Sequence, residues 1–320
     1  MEPTTPKIEL YVTRTFSEKL GDTLSFLREN WRVLLKYFTY TMLPASLVLG
    51  FFLNHFWGGY MSLLNNIDND FTPEILVDFM LNTGATIIVG LLAYAVFMAM
   101  IFALIRLYSA RPMRLQGLTN EEFVPEFRGC LKRAAIYLLV IALLGVLLMV
   151  LMSFLMVGSF ALNPVFGLLV MLLFYAALVA VIIPLSLSQP IYMLEDIGIF
   201  GALSKAFRLG FATWGGIFAI SFIIGLLTNV LQSFTMAPWY ILYMIKFVFT
   251  VSNDLDDSFV NSIGYTLMEY LACVLQCIGY MLAAVITTVA ITIQYGHASD
   301  KIDGVGVAKS IDRFDEFDNF

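Results

Sequence analysis

Six long apolar runs constrain this chain more than any other feature. They extend over Leu34–Trp57, Phe79–Leu107, Ala134–Phe160, Asn163–Ser188, Trp214–Thr235 and Ser262–Gln294. A helix needs about 20 predominantly apolar residues to cross about 30 Å of hydrocarbon. With no water to satisfy open peptide groups, runs of this length close their hydrogen bonds internally. The alternating segments of about ten residues that build a membrane β-barrel do not occur. The predicted fold class is all-α: a polytopic membrane helix bundle, six transmembrane helices plus interfacial amphipathic helices. Residues 1–33 form the expected entry segment, 34–294 the six-span membrane domain, and 295–320 an acidic tail. The first 33 residues are polar and charged, so a cleavable signal peptide is not expected and the first span should remain as an anchor.

Composition narrows the function classes. Of 320 residues, 60% are hydrophobic and 13% charged, against about 25% charged in a soluble domain. That excludes a soluble enzyme and a disordered chain. The net charge of −6 lacks the basic footprint of a nucleic-acid binder, and three cysteines cannot make a disulfide framework.

The scarce charges are unevenly placed. Lys7, Arg14, Lys19, Arg28, Arg32 and Lys36 precede or open the first span. Arg106, Arg111, Arg114, Arg128, Lys132 and Arg133 fill the second connection. Lys205 and Arg208 lie in the fourth, and Lys301, Lys309 and Arg313 follow the last span. The other connections carry Asp68, Asp70, Glu74 and Asp78, then Asp254, Asp256 and Asp257. Lys246 is the exception among 18 basic residues. By the positive-inside rule both termini are expected to be cytoplasmic, in a plasma (inner) membrane. The run Pro238–Val251 has only 14 residues, and its Trp239, Tyr240 and Tyr243 suit an outer interfacial or re-entrant helix.

Amphipathic segments precede the odd-numbered spans. In Phe16–Trp31, residues Phe16, Leu20, Thr23, Leu24 and Leu27 fall on one helical face, with Lys19, Asp22 and Arg28 elsewhere. In Thr119–Arg133, Thr119 is placed to cap a helix carrying Glu122 three residues on. In Gly198–Trp214, Leu203, Phe207 and Gly210 share a face. Two readings are open: a threefold internal repeat, or the common look of any helix entering a membrane.

The run Pro184–Phe218 resembles a signature of bacterial six-span membrane proteins, the YciC-like group and the membrane domain attached to some glycerophosphodiester phosphodiesterases. The matching parts are Pro184 and Pro190, Glu195, then Ala202-Leu203 through Phe207 and Leu209. Ala206 departs from the usual small polar residue. The tail Tyr295–Phe314 is similar to the ends of Bacteroidetes-type relatives. The resemblance implies a fold and a location. It carries no catalytic residue across, because the phosphodiesterase chemistry belongs to a separate domain.

Chemistry-bearing constellations are sparse. His55 and His297 are expected on opposite sides of the membrane, which leaves no two-histidine zinc site. No HExxH, GxSxG or P-loop string occurs. No catalytic, cofactor-binding or metal-binding residue is expected, and the chain is not expected to be an enzyme. Cys273 and Cys277 share a face at i, i+4 and read either as a redox pair or as small core residues. A candidate polar membrane site comprises Glu269, Gln276, Gln232 and Asn229, with Asn82 nearby. Glu269 reads either as a functional carboxylate at depth or as an interfacial residue, and the amides either line an opening or bond between helices. Ala95, Ala99 and Ala103, and Gly279 with Ala283, recur at close-packing spacing within the bundle or against another copy. In the tail, Ile311, Phe314, Phe317 and Phe320 form a stripe among acids. It would either dock in a partner's groove or lie solvated. Expected partners are membrane lipids and a protein at the cytoplasmic face, with no nucleic acid. The leading expectation is a scaffold or a lipid- or partner-interacting membrane factor; the alternative is a transporter or channel for a small or lipid-like solute.

Overall fold

The computed structural model describes residues 6–66, 72–251, 258–306 and 308. Every regular element among them is helical: α1 (Phe16–Asn66), α2 (Pro73–Ala110), α3 (Asn120–Leu162), α4 (Pro164–Leu185), α5 (Ser188–Leu194), α6 (Ile199–Ala212), α7 (Trp214–Val251) and α8 (Ile263–Asp303). Six helical segments are long and apolar enough to cross a membrane, so the chain is a multi-pass membrane protein. The tail stripe Ile311, Phe314, Phe317 and Phe320 lies outside the described residues, as do Asp68, Asp70, Asp254, Asp256 and Asp257.

Local chemistry sets the helix ends. Thr15 and Glu18 form a capping box at the start of α1, the Thr15 N–H donating to Glu18 Oε2 at 2.6 Å. Thr119 and Glu122 form another on α3. Between α3 and α4 a single residue makes the turn. The Asn163 N–H donates to Ser159 O, while its Oδ1 accepts from Val165 N at 2.8 Å. Pro164 then opens α4 at a position that needs no donor.

The helices are longer than the apolar runs. The entry segment and first span form one helix of 51 residues, and α3 likewise absorbs its amphipathic entry. Only the third entry, α6, is separate from the span it precedes. Pro238–Val251 is not a separate interfacial or re-entrant helix: it continues α7, which contains Pro238. Proline removes one backbone donor, and helical geometry on either side absorbs that loss.

The chain divides into two compact units. The first comprises 1–31, 101–224 and 288–320. Here the segment before α1, bent at Leu10–Tyr11, is bonded to the end of α2. Lys7 Nζ donates to the Ser109 and Arg111 carbonyls at 2.7 and 3.2 Å, and Ile8 N–H to the Tyr108 hydroxyl at 3.1 Å. It crosses α8 at Gly296, where a Cβ would stand 2.0 Å from Leu10 O. Glu195 gathers Lys205 at 2.6 Å and the Tyr295 hydroxyl, and Tyr295 lies 3.2 Å from the Tyr11 hydroxyl. Burial pushes the Tyr295 phenol far above its ordinary pKa, so the group acts as a neutral donor. Gly210 permits the close approach of α6 to α4: a Cβ there would lie 2.5 Å from Pro184 Cα.

The buried face of α1's entry differs from its hydrophobic stripe. Thr23 of the expected face is buried, but its inward neighbours are Lys19, Phe26 and Asn30, while Phe16 and Leu24 are exposed. In α6, Ala202, Ala206, Leu209 and Gly210 are buried, so of the expected face Gly210 points fully inward while Leu203 and Phe207 are half-buried. At a membrane edge an apolar stripe is also satisfied by hydrocarbon, so hydrophobicity does not by itself select the inner face. Most side chains of the α3 and α4 spans are exposed, Met149, Phe154 and Val165 among them, as lipid-facing residues should be.

The second unit comprises 32–100 and 225–287. Tyr37, Met42, Phe97, Met98 and Cys273 are buried within it. Gly50 packs on Val274 and Gly279 on Thr235, where added Cβ atoms would stand 2.6 and 1.9 Å from side-chain atoms. Ala95, Ala99, Ala103 and Ala283 are buried inside the chain. Cys273 and Cys277 are free and buried.

Candidate functional site

The second unit holds an aromatic-lined cavity of about 500 Å³, within the usual range for small-molecule sites. Four helices build it. Asn54, His55 and Trp57 come from α1, and Asp78, Phe79 and Asn82 from α2. Trp239, Tyr243 and Lys246 come from α7, and Thr266 and Glu269 from α8.

Its centre is an ion pair in an aromatic frame. Lys246 Nζ donates to both carboxylate oxygens of Glu269, each at 2.9 Å. Their side chains are 35% and 13% exposed, so the pair is drier on the carboxylate side. Lys246 reaches this position because Pro238–Val251 stays helical: Trp239, Tyr243 and Lys246 follow at i, i+4 and i+7 and share one face. The Trp57 and Trp239 rings lie 4.4 Å apart, and Tyr243 stacks on Trp239 at 5.1 Å. Trp57 Nε1 is buried with no hydrogen-bond partner. A ring nitrogen of His55 lies 3.0 Å from Phe51 O, one turn back.

With Asp78 and Glu269 against Lys246, the lining carries two formal negative charges and one positive. Such a site can exchange its internal ion pair for two bonds to a ligand bearing both signs. The aromatic faces suit an ammonium group. Among the described residues no three His, Cys, Asp or Glu side chains gather as a metal site would require.

The four candidate polar residues separate. Glu269 lines the cavity. Gln276 lies two turns along α8, 3% exposed, with Nε2 3.5 Å from the Tyr280 hydroxyl and Oε1 unpartnered. Asn229 is exposed and donates to Gly225 O on its own helix. Gln232 is half-buried and away from the cavity. Sequence reasoning missed Lys246 and Asp78 as members. The signal was present: the one cation between the fifth and sixth apolar runs stands in an aromatic run, and Glu269 is the lone carboxylate within the runs. No protein-family model, curated protein or solved structure matches the chain.

Proposed function

We propose that this is a non-enzymatic, multi-pass protein of a bacterial inner membrane, with both termini cytoplasmic, which binds a zwitterionic amphiphile in the cavity around Lys246 and Glu269. The ligand class is a lipid carrying a phosphate and an amine. One observation carries the reading: a partly dry ion pair shares a cavity with Trp57, Trp239 and Tyr243. Lys246 is placed to take the phosphate, Glu269 and Asp78 the amine, and the rings the adjoining apolar part. The cation distribution along the sequence supports the orientation.

Quenching of tryptophan emission by short-chain phosphatidylethanolamine bearing a brominated chain tests this. The protein would carry Trp31→Phe and Trp214→Phe, leaving Trp57 and Trp239 as reporters. Saturable quenching is expected, with apparent affinity lowered about tenfold in Glu269→Gln. Non-saturable quenching, or identical curves for the variant, would overturn the reading.

A second reading, transport of a small or lipid-like solute, has its own support. Ser46 Oγ and Gln276 Oε1 are buried and unpartnered, two turns from Asn54 and Glu269 along the same helices. Glu269→Gln and Gln276→Leu should then abolish flux in proteoliposomes, and unchanged flux would remove both residues from the mechanism.

A further inference from the structure

A second set of unpartnered polar groups meets in the first unit, at the start of α7. Lys19 is 5% exposed, yet no acceptor lies within hydrogen-bond or ion-pair distance of its ammonium among the described residues. Gln294 is fully buried, and neither its Nε2 nor its Oε1 has a partner. Both side chains converge on Gly216: a Cβ there would stand 3.3 Å from Gln294 Nε2 and 3.7 Å from Lys19 Nζ.

The backbone at the same place is rich in donors. The first intrahelical bond of α7 runs from Ile217 N–H to Thr213 O at 3.1 Å. The amides of Trp214, Gly215 and Gly216 therefore precede any acceptor within the helix. Thr213, the residue placed to cap them, turns its hydroxyl to Leu209 O at 2.9 Å. The helix N-terminus adds a partial positive charge, and at Gly215 an added Cβ would meet nothing within 4 Å, so the backbone there is open to a ligand.

We propose that Lys19, Gln294 and the first turn of α7 form an anion site that takes a phosphate group. A buried ammonium, an amide N–H₂ and free helix-end amides form a donor-rich set that calls for one acceptor with several oxygens. Gln294 Oε1 is left for a hydroxyl donor, which inorganic phosphate or a phosphomonoester carries on phosphorus and phosphatidylglycerol carries on its headgroup glycerol. Burial, with Lys301 and Arg14 nearby, holds the Lys19 ammonium down to about 8, and a bound anion would offset both effects. The site is independent of the Lys246 cavity.

The test is thermal unfolding of the full-length protein in a maltoside detergent. Inorganic phosphate, short-chain phosphatidylglycerol and ionic-strength-matched chloride are titrated separately. A saturable rise in Tm with phosphate or with the lipid, and none with chloride, is expected; the responding arm identifies the source. Lys19→Met and Gln294→Leu should each weaken the apparent affinity about tenfold or more. Without phosphate, Lys19→Met should be at least as stable as the parent, because an uncompensated charge is gone. A parent that responds to neither phosphate source beyond chloride, or variants that respond as the parent does, would overturn the proposal.

Discussion

The Glu269 carboxylate holds the Lys246 ammonium symmetrically, with both oxygens at 2.9 Å, joining α8 to α7 across 23 positions of sequence. Glu269 is mostly withdrawn from solvent. Removing Lys246 leaves the largely buried Glu269 carboxylate with little compensation. Glu269→Gln and Lys246→Met should each lower thermal stability. The double variant should lose less than their sum, with a coupling of about 1 kcal/mol once the partial exposure of Lys246 is allowed for. A double-mutant cycle measured by thermal unfolding in detergent checks this, and additive losses would contradict it.

Two glycines on helices should respond oppositely to a methyl group. At Gly210 a Cβ would lie 2.5 Å from backbone Cα of Pro184 and 3.0 Å from its carbonyl oxygen. Backbone has no rotamer with which to yield, so Gly210→Ala should cost about 1–3 kcal/mol. At Gly129, within α3, an added Cβ meets nothing within 4 Å. Gly129→Ala should stabilise by about 0.5–1 kcal/mol through helix propensity. Tm shifts of opposite sign are the expected readout.

His297 makes stability depend on pH. Its Nδ1 accepts the Arg14 N–H at 2.9 Å, and burial, with Lys19, Lys301 and Arg14 close by, holds its pKa down to about 4 from 6.5. Between those values the unfolded chain binds the proton and the folded one does not. Stability should therefore fall as pH drops from about 6.5 to about 4. His297→Gln should flatten that part of a Tm-against-pH curve, and an unaltered slope would assign it to other groups.

Arg133 ties the short helix α5 to α3. Its guanidinium donates to the carbonyls of Tyr192 and Glu195 and pairs with Asp196 at 3.2 Å, with the Tyr192 ring 4.7 Å away. Asp196 is almost fully exposed, so the carbonyl contacts matter more than the ion pair. Both carbonyls accept from Nη2 while Nη1 reaches Asp196, so Arg133→Lys retains the charge but loses the planar group that holds the carbonyls and the carboxylate at once. It should cost about 1–2 kcal/mol, nearly as much as Arg133→Met. Comparing the two variants by thermal unfolding tests that near-equality.

Much of the fold was legible because its signals are local. A spanning run is a property of 20 neighbouring residues, and caps such as Thr119–Glu122 and the Asn163–Pro164 turn act over three or four. Helix continuity was less legible. Pro238 reads as a boundary in one dimension, yet one lost donor does not end a helix packed among others. In the candidate site, Glu269 stood out as a lone acid, whereas Asn229 and Gln232 shared only its depth along the sequence. Depth is not direction: Asn229 turns outward and bonds its own backbone.

The sequence by itself determined the class: six apolar runs, too little charge for a water-facing surface, and cations gathered into alternate connections. Hydrocarbon enforces that outcome, since an apolar run has few other ways to satisfy its backbone. Only the tertiary structure decided which polar groups meet. It paired Lys246 with Glu269, turned Lys19 inward although it lies off the hydrophobic stripe, and brought Gln294 against Gly216. The reason is that lipid and protein interior are equally apolar, so hydrophobic periodicity does not choose which face of a helix points inward. That choice is made by packing, at glycines such as Gly210 and Gly279, and it places the few charges this chain possesses.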